Sequence, residues 1–117
     1  MWRDETYLLD ILILARKVRE RTSGLSWEAF RDSEEKQDAV VLLIQRLGEA
    51  ARRVSEEYRV AHPQLPWAEM IGMRHRLVHD YKEINPALVW EVVQRDIPAL
   101  IAAVEPLVPP DEGDETS

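Results

Sequence analysis

Apolar residues recur at helical spacing along almost all of this chain, and that period restricts it to a bundle of packed helices. Between about Arg3 and Arg21, the residues Leu8, Ile11, Leu12, Ala15 and Val18 follow the i, i+3, i+4, i+7 order that lines one helix face. Leu9, Ile13 and Leu14 widen that face past a single stripe. A helix apolar on two sides either sits centrally in a core or is covered by a second subunit, and the sequence leaves both open. Gly24 and Ser26 break the period, and Trp27 and Phe30 are expected to close the core from a short turn. A second helix is predicted to begin near Ser33, because Asp32 and Glu35 have capping-box spacing. It is expected to run to about Tyr58 along a seam of Val40, Leu43, Ile44, Leu47, Ala51 and Val54. The small residues Gly48, Ala50 and Ala51 in its middle would let another helix, or a ligand, come close.

Prolines punctuate the second half. His62-Pro63-Gln64-Leu65-Pro66 reads as a loop, and Pro66 suits the first turn of a third helix carrying Trp67, Met70, Ile71 and Met73. Asn85-Pro86 is a cap followed by a first-turn proline, so a fourth helix is predicted from there through Leu88, Val89, Val92 and Val93. Pro98 should kink or split it, with Leu100, Ile101 and Val104 continuing to about Leu107. There is no alternating strand pattern and no repeat. The residues predict one all-α domain over 1–108, a bundle of four to five helices, followed by an acidic tail at 109–117 that is expected to be disordered.

At 117 residues the chain is long enough to bury a sizeable core. It contains no cysteine, which excludes disulfides, thiolate metal sites and a cysteine nucleophile, and fits a reducing cytoplasm. The charged N-terminus lacks a signal-peptide pattern, and no apolar stretch is long enough to span a membrane. A net charge of −7, from 22 acidic and 15 basic residues, argues against broad binding to nucleic acid but leaves room for a local basic cleft. The four tryptophans read as core or interface anchors.

Most of the chemistry is concentrated in Arg74-His75-Arg76-Leu77-Val78-His79-Asp80-Tyr81, an R-x4-H-x-Y pattern. Imidazole exchanges protons near neutral pH, and guanidinium matches the geometry of phosphate. In RNA cleavage without metal, a base takes the 2′-hydroxyl proton, an acid protonates the leaving oxygen, and positive charge steadies the crowded phosphate. His79 suits proton transfer, Arg74 suits charge stabilisation, and His75 could orient either group or bind phosphate. On an ideal helix Arg74 and His79 lie roughly 140° apart. Their convergence therefore needs the helix to end near His79, or a second subunit to complete the site. Two plainer readings compete. The cations Arg74, Arg76, His79 and Lys82 could simply favour a helix C-terminus. His75 and His79, at i, i+4, could also hold zinc, although no third ligand is evident. Arg46, Arg52 and Arg53 could line a basic groove, but interleaved Glu49, Glu56 and Glu57 make intrahelical ion pairs the favoured expectation. Glu49 would want an arginine partner such as Arg74.

The motif Arg74-x4-His79-x-Tyr81 resembles that of the HepT-like toxins, small all-helical ribonucleases of the HEPN superfamily. So do Leu47-Gly48-Glu49-Ala50-Ala51, Pro66-Trp67 leading to Ile71-Gly72-Met73-Arg74, the stretch through Val89-Trp90, and the Asp96-Ile97-Pro98 turn. The resemblance covers most of residues 4 to 105. It implies an up-and-down bundle of four to five helices that forms a homodimer, with the two motifs meeting in a cleft. It implies a metal-independent RNA endonuclease without a cofactor, acting in the cytoplasm as the toxin of a toxin–antitoxin pair. Arg74 and His79 would be the catalytic pair, with His75 in a supporting, phosphate-binding position. The usual antitoxin is a minimal nucleotidyltransferase, which can transfer AMP from ATP onto the motif tyrosine, here Tyr81, and larger hetero-oligomers with it are allowed. A non-catalytic HEPN module that binds nucleotide or protein beside a nucleotidyltransferase is the alternative.

Overall fold

The computed structural model describes residues 2–79 and 83–109, without the side chains of Trp2, Arg74, Val78 and His79. Within that span the periodic segments form helices α1 (Trp2–Thr22), α2 (Trp27–Arg31), α3 (Glu34–Arg53), α4 (Glu56–Ala61), α5 (Trp67–Leu77), α6 (Pro86–Glu91) and α7 (Ile97–Val104). Helix α1 packs on α3 and α7, and α3 packs on α5. The all-α bundle expected from the sequence is therefore present. Its core contains the predicted Leu8, Ile11, Leu12, Ala15 and Val18 of α1 and Val40, Leu43, Ile44, Leu47 and Ala51 of α3, all buried. Among the described residues no helix is long and apolar enough to cross a membrane.

Local chemistry sets the boundaries. Gly24, at φ +79, adopts the left-handed conformation that ends the turn after α1. The Ser26 side chain caps α2 by accepting the Ala29 N–H, and α2 drives Phe30 fully into the core, where its ring lies 5.2 Å from that of Trp90. Asn85 accepts the Leu88 N–H and caps α6, as predicted. Pro98 has no N–H to continue a helical ladder. The chain absorbs it with a π-turn over Val92–Asp96, so α6 and α7 form one continuous helical rod with a wide turn in its middle.

Three expectations need correction. Helix α3 starts as predicted, but Ser33 is its N-cap, accepting the Lys36 N–H, while Asp32 ends α2 and pairs with Arg31 at 2.9 Å. Nor does α3 run to Tyr58. Val54 turns extended, and Ser55 caps a separate helix, α4, by accepting the Tyr58 N–H. The buried Asp4 on α1 fixes this break, since its carboxylate accepts both the Ser55 N–H (2.8 Å) and the Ser55 hydroxyl (2.7 Å). Finally, two short strands appear where none was expected. Strand β1 (Val78–His79) pairs antiparallel with β2 (Glu83–Ile84), Val78 opposite Ile84 and His79 opposite Glu83. The acidic tail from Pro110 onwards lies outside the described residues.

Candidate functional site

The motif occupies the place where α5 stops. Arg74 and His75 stand in the last turns of α5, the helix ends at Leu77, and His79 is already on β1. The Asn85 N–H donates to the Leu77 carbonyl at 2.9 Å, tying the far end of the hairpin to the helix terminus. The helical geometry that would hold Arg74 and His79 apart thus ends two residues before His79. The same ending removes the premise of the two-histidine zinc reading, because His75 and His79 no longer share one helix face. Tyr81 lies outside the described residues, as do the side chains of Arg74 and His79, so the expected Glu49–Arg74 contact lies outside them too.

Helix α5 lies unusually close to α3. A Cβ placed on Gly48 would come within 2.9 Å of the Met70 carbonyl oxygen and 3.6 Å of that of Ile71. Real Cβ atoms do not approach backbone that closely, so glycine is what permits the crossing. Beside it, Gln45, Glu49 and Arg52 of α3 face His75 of α5 across a cleft of about 140 Å³, floored by Ile44, Met70 and Ile71. That volume falls below the roughly 300 Å³ of sites that enclose a whole small molecule. It suits a single group such as a phosphate, at the edge of a larger ligand.

The surrounding charges are sorted. Arg76 donates to Asp96 at 3.3 Å and joins α5 to the π-turn, so this member of the cationic run has a structural partner. Arg46, Arg52 and Arg53 do not form the expected ion pairs with Glu49, Glu56 or Glu57 among the described residues. Arg52 is exposed at the cleft with His75. Sequence periodicity names Arg52 but misjudges its partners, and it misses Gln45. A usable signal exists: both lie one helical turn from Gly48, on the face where close approach is possible.

Fold and site together define a class, that of small all-helical proteins with a guanidinium–imidazole motif at the end of a core helix, beside a polar cleft. The chain belongs to the HepT-like family, whose model, described as Ribonuclease HepT-like, matches residues 11–107. It is 34% identical over 101 residues to a Methanocaldococcus jannaschii protein provisionally named an RNase, covering 86% of this chain and 93% of that one. It is 33% identical over 101 residues to a Thermococcus cleftensis protein named "Probable ribonuclease HepT", covering 86% and 92%. A provisionally named RNase of Caldanaerobacter subterraneus subsp. tengcongensis is 33% identical over 102 residues, covering 87% and 91%. No solved structure gives a significant match.

Proposed function

We propose that this protein is an RNA endonuclease that needs no metal, with Arg74 and His79 as its catalytic pair. The observation that carries this reading is the placement of R-x4-H where α5 gives way to β1, beside a cleft of phosphate size, in a chain of the HepT-like ribonuclease family. The 2′-hydroxyl oxygen attacks the adjacent phosphorus while its proton is removed. The bond from phosphorus to the 5′-oxygen breaks, and that oxygen leaves with a proton. A cyclic phosphate and a free 5′-hydroxyl result. His79 serves proton transfer, and the Arg74 guanidinium steadies the charge gathering on the phosphoryl oxygens. His75, which lines the cleft, binds the phosphate.

The same reading makes the protein a homodimer with a cleft built from both copies, and the toxin of a pair whose antitoxin is a nucleotidyltransferase. Control would act at Tyr81. Its phenolic oxygen attacks the α-phosphorus of ATP, pyrophosphate leaves, and the new phosphodiester adds bulk and negative charge two residues from His79, where RNA phosphate would be repelled.

The test is cleavage of a mixed-sequence RNA in excess EDTA, after intact mass has shown Tyr81 unmodified. His79→Ala is expected to lose at least about 10²-fold in rate, the usual scale of general acid–base catalysis. Wild-type cleavage with cyclic phosphate ends supports the proposal. Failure of the unmodified wild type on several RNAs would leave a non-catalytic binding module.

A further inference from the structure

Three surface depressions follow one another from the motif cleft, each sharing lining residues with the next, and together they outline a furrow. The cleft between α3 and α5 shares Gln45 and Glu49 with a second depression between α3 and α1, which also takes in Arg46, Arg53 and Asp10. That depression shares Ile13 with a third, along the second half of α1, where Lys17 and Arg19 stand. From Tyr7 to Arg19 the furrow follows α1 for roughly 18 Å by helical rise alone. Each strand of a duplex carries one phosphate per ~3.4 Å of helix axis, and an extended single strand spaces them more widely, so that length takes only a few.

The charge along this path runs against that of the molecule. Two acid–base pairs are internally satisfied, Arg16 with Glu105 at 2.5 Å and Arg21 with Glu20 at 4.0 Å. What remains is Arg52, Arg53, Arg46, Lys17 and Arg19, all exposed and none ion-paired with another described residue, against Asp10 and Glu49. The furrow thus has a surplus of three positive charges in a chain whose net charge is −7. Scattered surface charge would follow the sign of the whole. Guanidinium groups left without carboxylate partners are the side chains that bind phosphate, by charge and by their donor fork. Exposed Ile13, at 41%, interrupts the row with an apolar surface on which a base can rest.

We propose that this furrow is the track on which single-stranded RNA lies as it leaves the cleavage site, with Arg52 holding the phosphate next to the motif and Arg46, Arg53, Lys17 and Arg19 holding those beyond. The assignment rests on the ribonuclease reading and adds to it the surface that grips the substrate. Beyond the motif cleft, where the two copies of the proposed dimer meet, a second copy fits the furrow less well, because a two-fold contact along it would set one positive surface against another.

The experiment separates binding from cleavage. Fluorescence anisotropy follows a short 2′-O-methyl oligoribonucleotide, which has no free 2′-hydroxyl and so cannot be cut. The wild type is compared with Lys17→Gln/Arg19→Gln and with Arg46→Gln/Arg53→Gln over a range of salt concentrations. Each double variant should bind about tenfold more weakly, and the slope of log affinity against log salt should shrink by about 0.7 for each phosphate that is no longer neutralised. These positions are exposed, so the melting temperature should hold, which is checked alongside. An unchanged affinity and slope overturns the track, even if the wild type cuts RNA. So does a wild type that does not bind RNA, or a double variant that changes only the monomer–dimer equilibrium. A wild type that binds with the expected salt slope but never cleaves removes the enzyme reading and leaves the track in place.

Discussion

Gly48 decides how near the motif helix comes to its neighbour. With a Cβ position 2.9 Å from the Met70 carbonyl, Gly48→Ala must push α5 away from α3, and the opposing atom is backbone, which cannot rotate aside. Overpacking of this kind costs about 1–3 kcal/mol. The gain in helix propensity from replacing glycine, about 1 kcal/mol, offsets only part of it. Chemical denaturation of Gly48→Ala should therefore show a net loss of stability, and RNA cleavage should fall further than the remaining folded fraction explains. Gly72 gives the contrast, since a Cβ there would meet nothing within 4 Å. Neither distinction is visible in the residues themselves. Both glycines sit in helical patterns, and only the crossing of α3 with α5 separates them.

At the level of elements, the break between α3 and α4 depends on one carboxylate far away in sequence. Burial pushes the Asp4 carboxyl up, but the hydrogen bonds from the Ser55 N–H and hydroxyl favour its ionised form, and the net result lies below its ordinary value of 3.8. A carboxylate with a lowered pKa in the folded state stabilises the fold above its unfolded pKa. That stabilisation is lost as pH falls through the folded value. The loss should therefore fall below about pH 4. Urea unfolding of wild type and Asp4→Asn across acidic pH checks this: the variant should be less stable at neutral pH, with the gap closing toward low pH. The break itself is illegible in sequence. Leu47, Ala51, Val54 and Tyr58 keep helical step straight through it, and the group that fixes it lies 51 residues before Ser55. By contrast, Gly24 and Asn85 act through their immediate neighbours, and both are readable. The hairpin stays hidden because strands of two residues are too short to show alternation.

For the whole molecule, the bundle and its core are legible in sequence, since burial follows apolar period and the period is unbroken on α1 and most of α3. The furrow is not, because it depends on where three helices bring their exposed residues together. The apolar pattern also leaves open whether the second side of α1 is covered. In this chain Leu9 and Ile13 are 37% and 41% exposed, so that side is not core. A site built from two copies has a direct test. Arg74→Ala and His79→Ala, each inactive alone, are mixed and allowed to exchange subunits. If Arg74 of one copy works with His79 of the other, a mixed dimer keeps one intact site, and about a quarter of wild-type activity should return. No recovery, with exchange shown by mass, means that each copy carries a complete pair.

The π-turn has a consequence for how this chain tolerates change in length. A helix advances about 100° per residue, so every residue after a given point keeps its bearing only if the number before it is kept. Val92–Asp96 takes up one residue more than an α-helical turn would, and beyond it Ile97, Leu100, Ile101 and Val104 all face the core. Deleting one residue there would let the rod close into plain α-helix with those four side chains still facing the core, whereas the same deletion in the α-helix on either side would swing everything beyond it by about 100°. The wide turn acts as a phase correction between the two halves of the rod, and this stretch can lose one residue far more readily than the plain helix on either side of it.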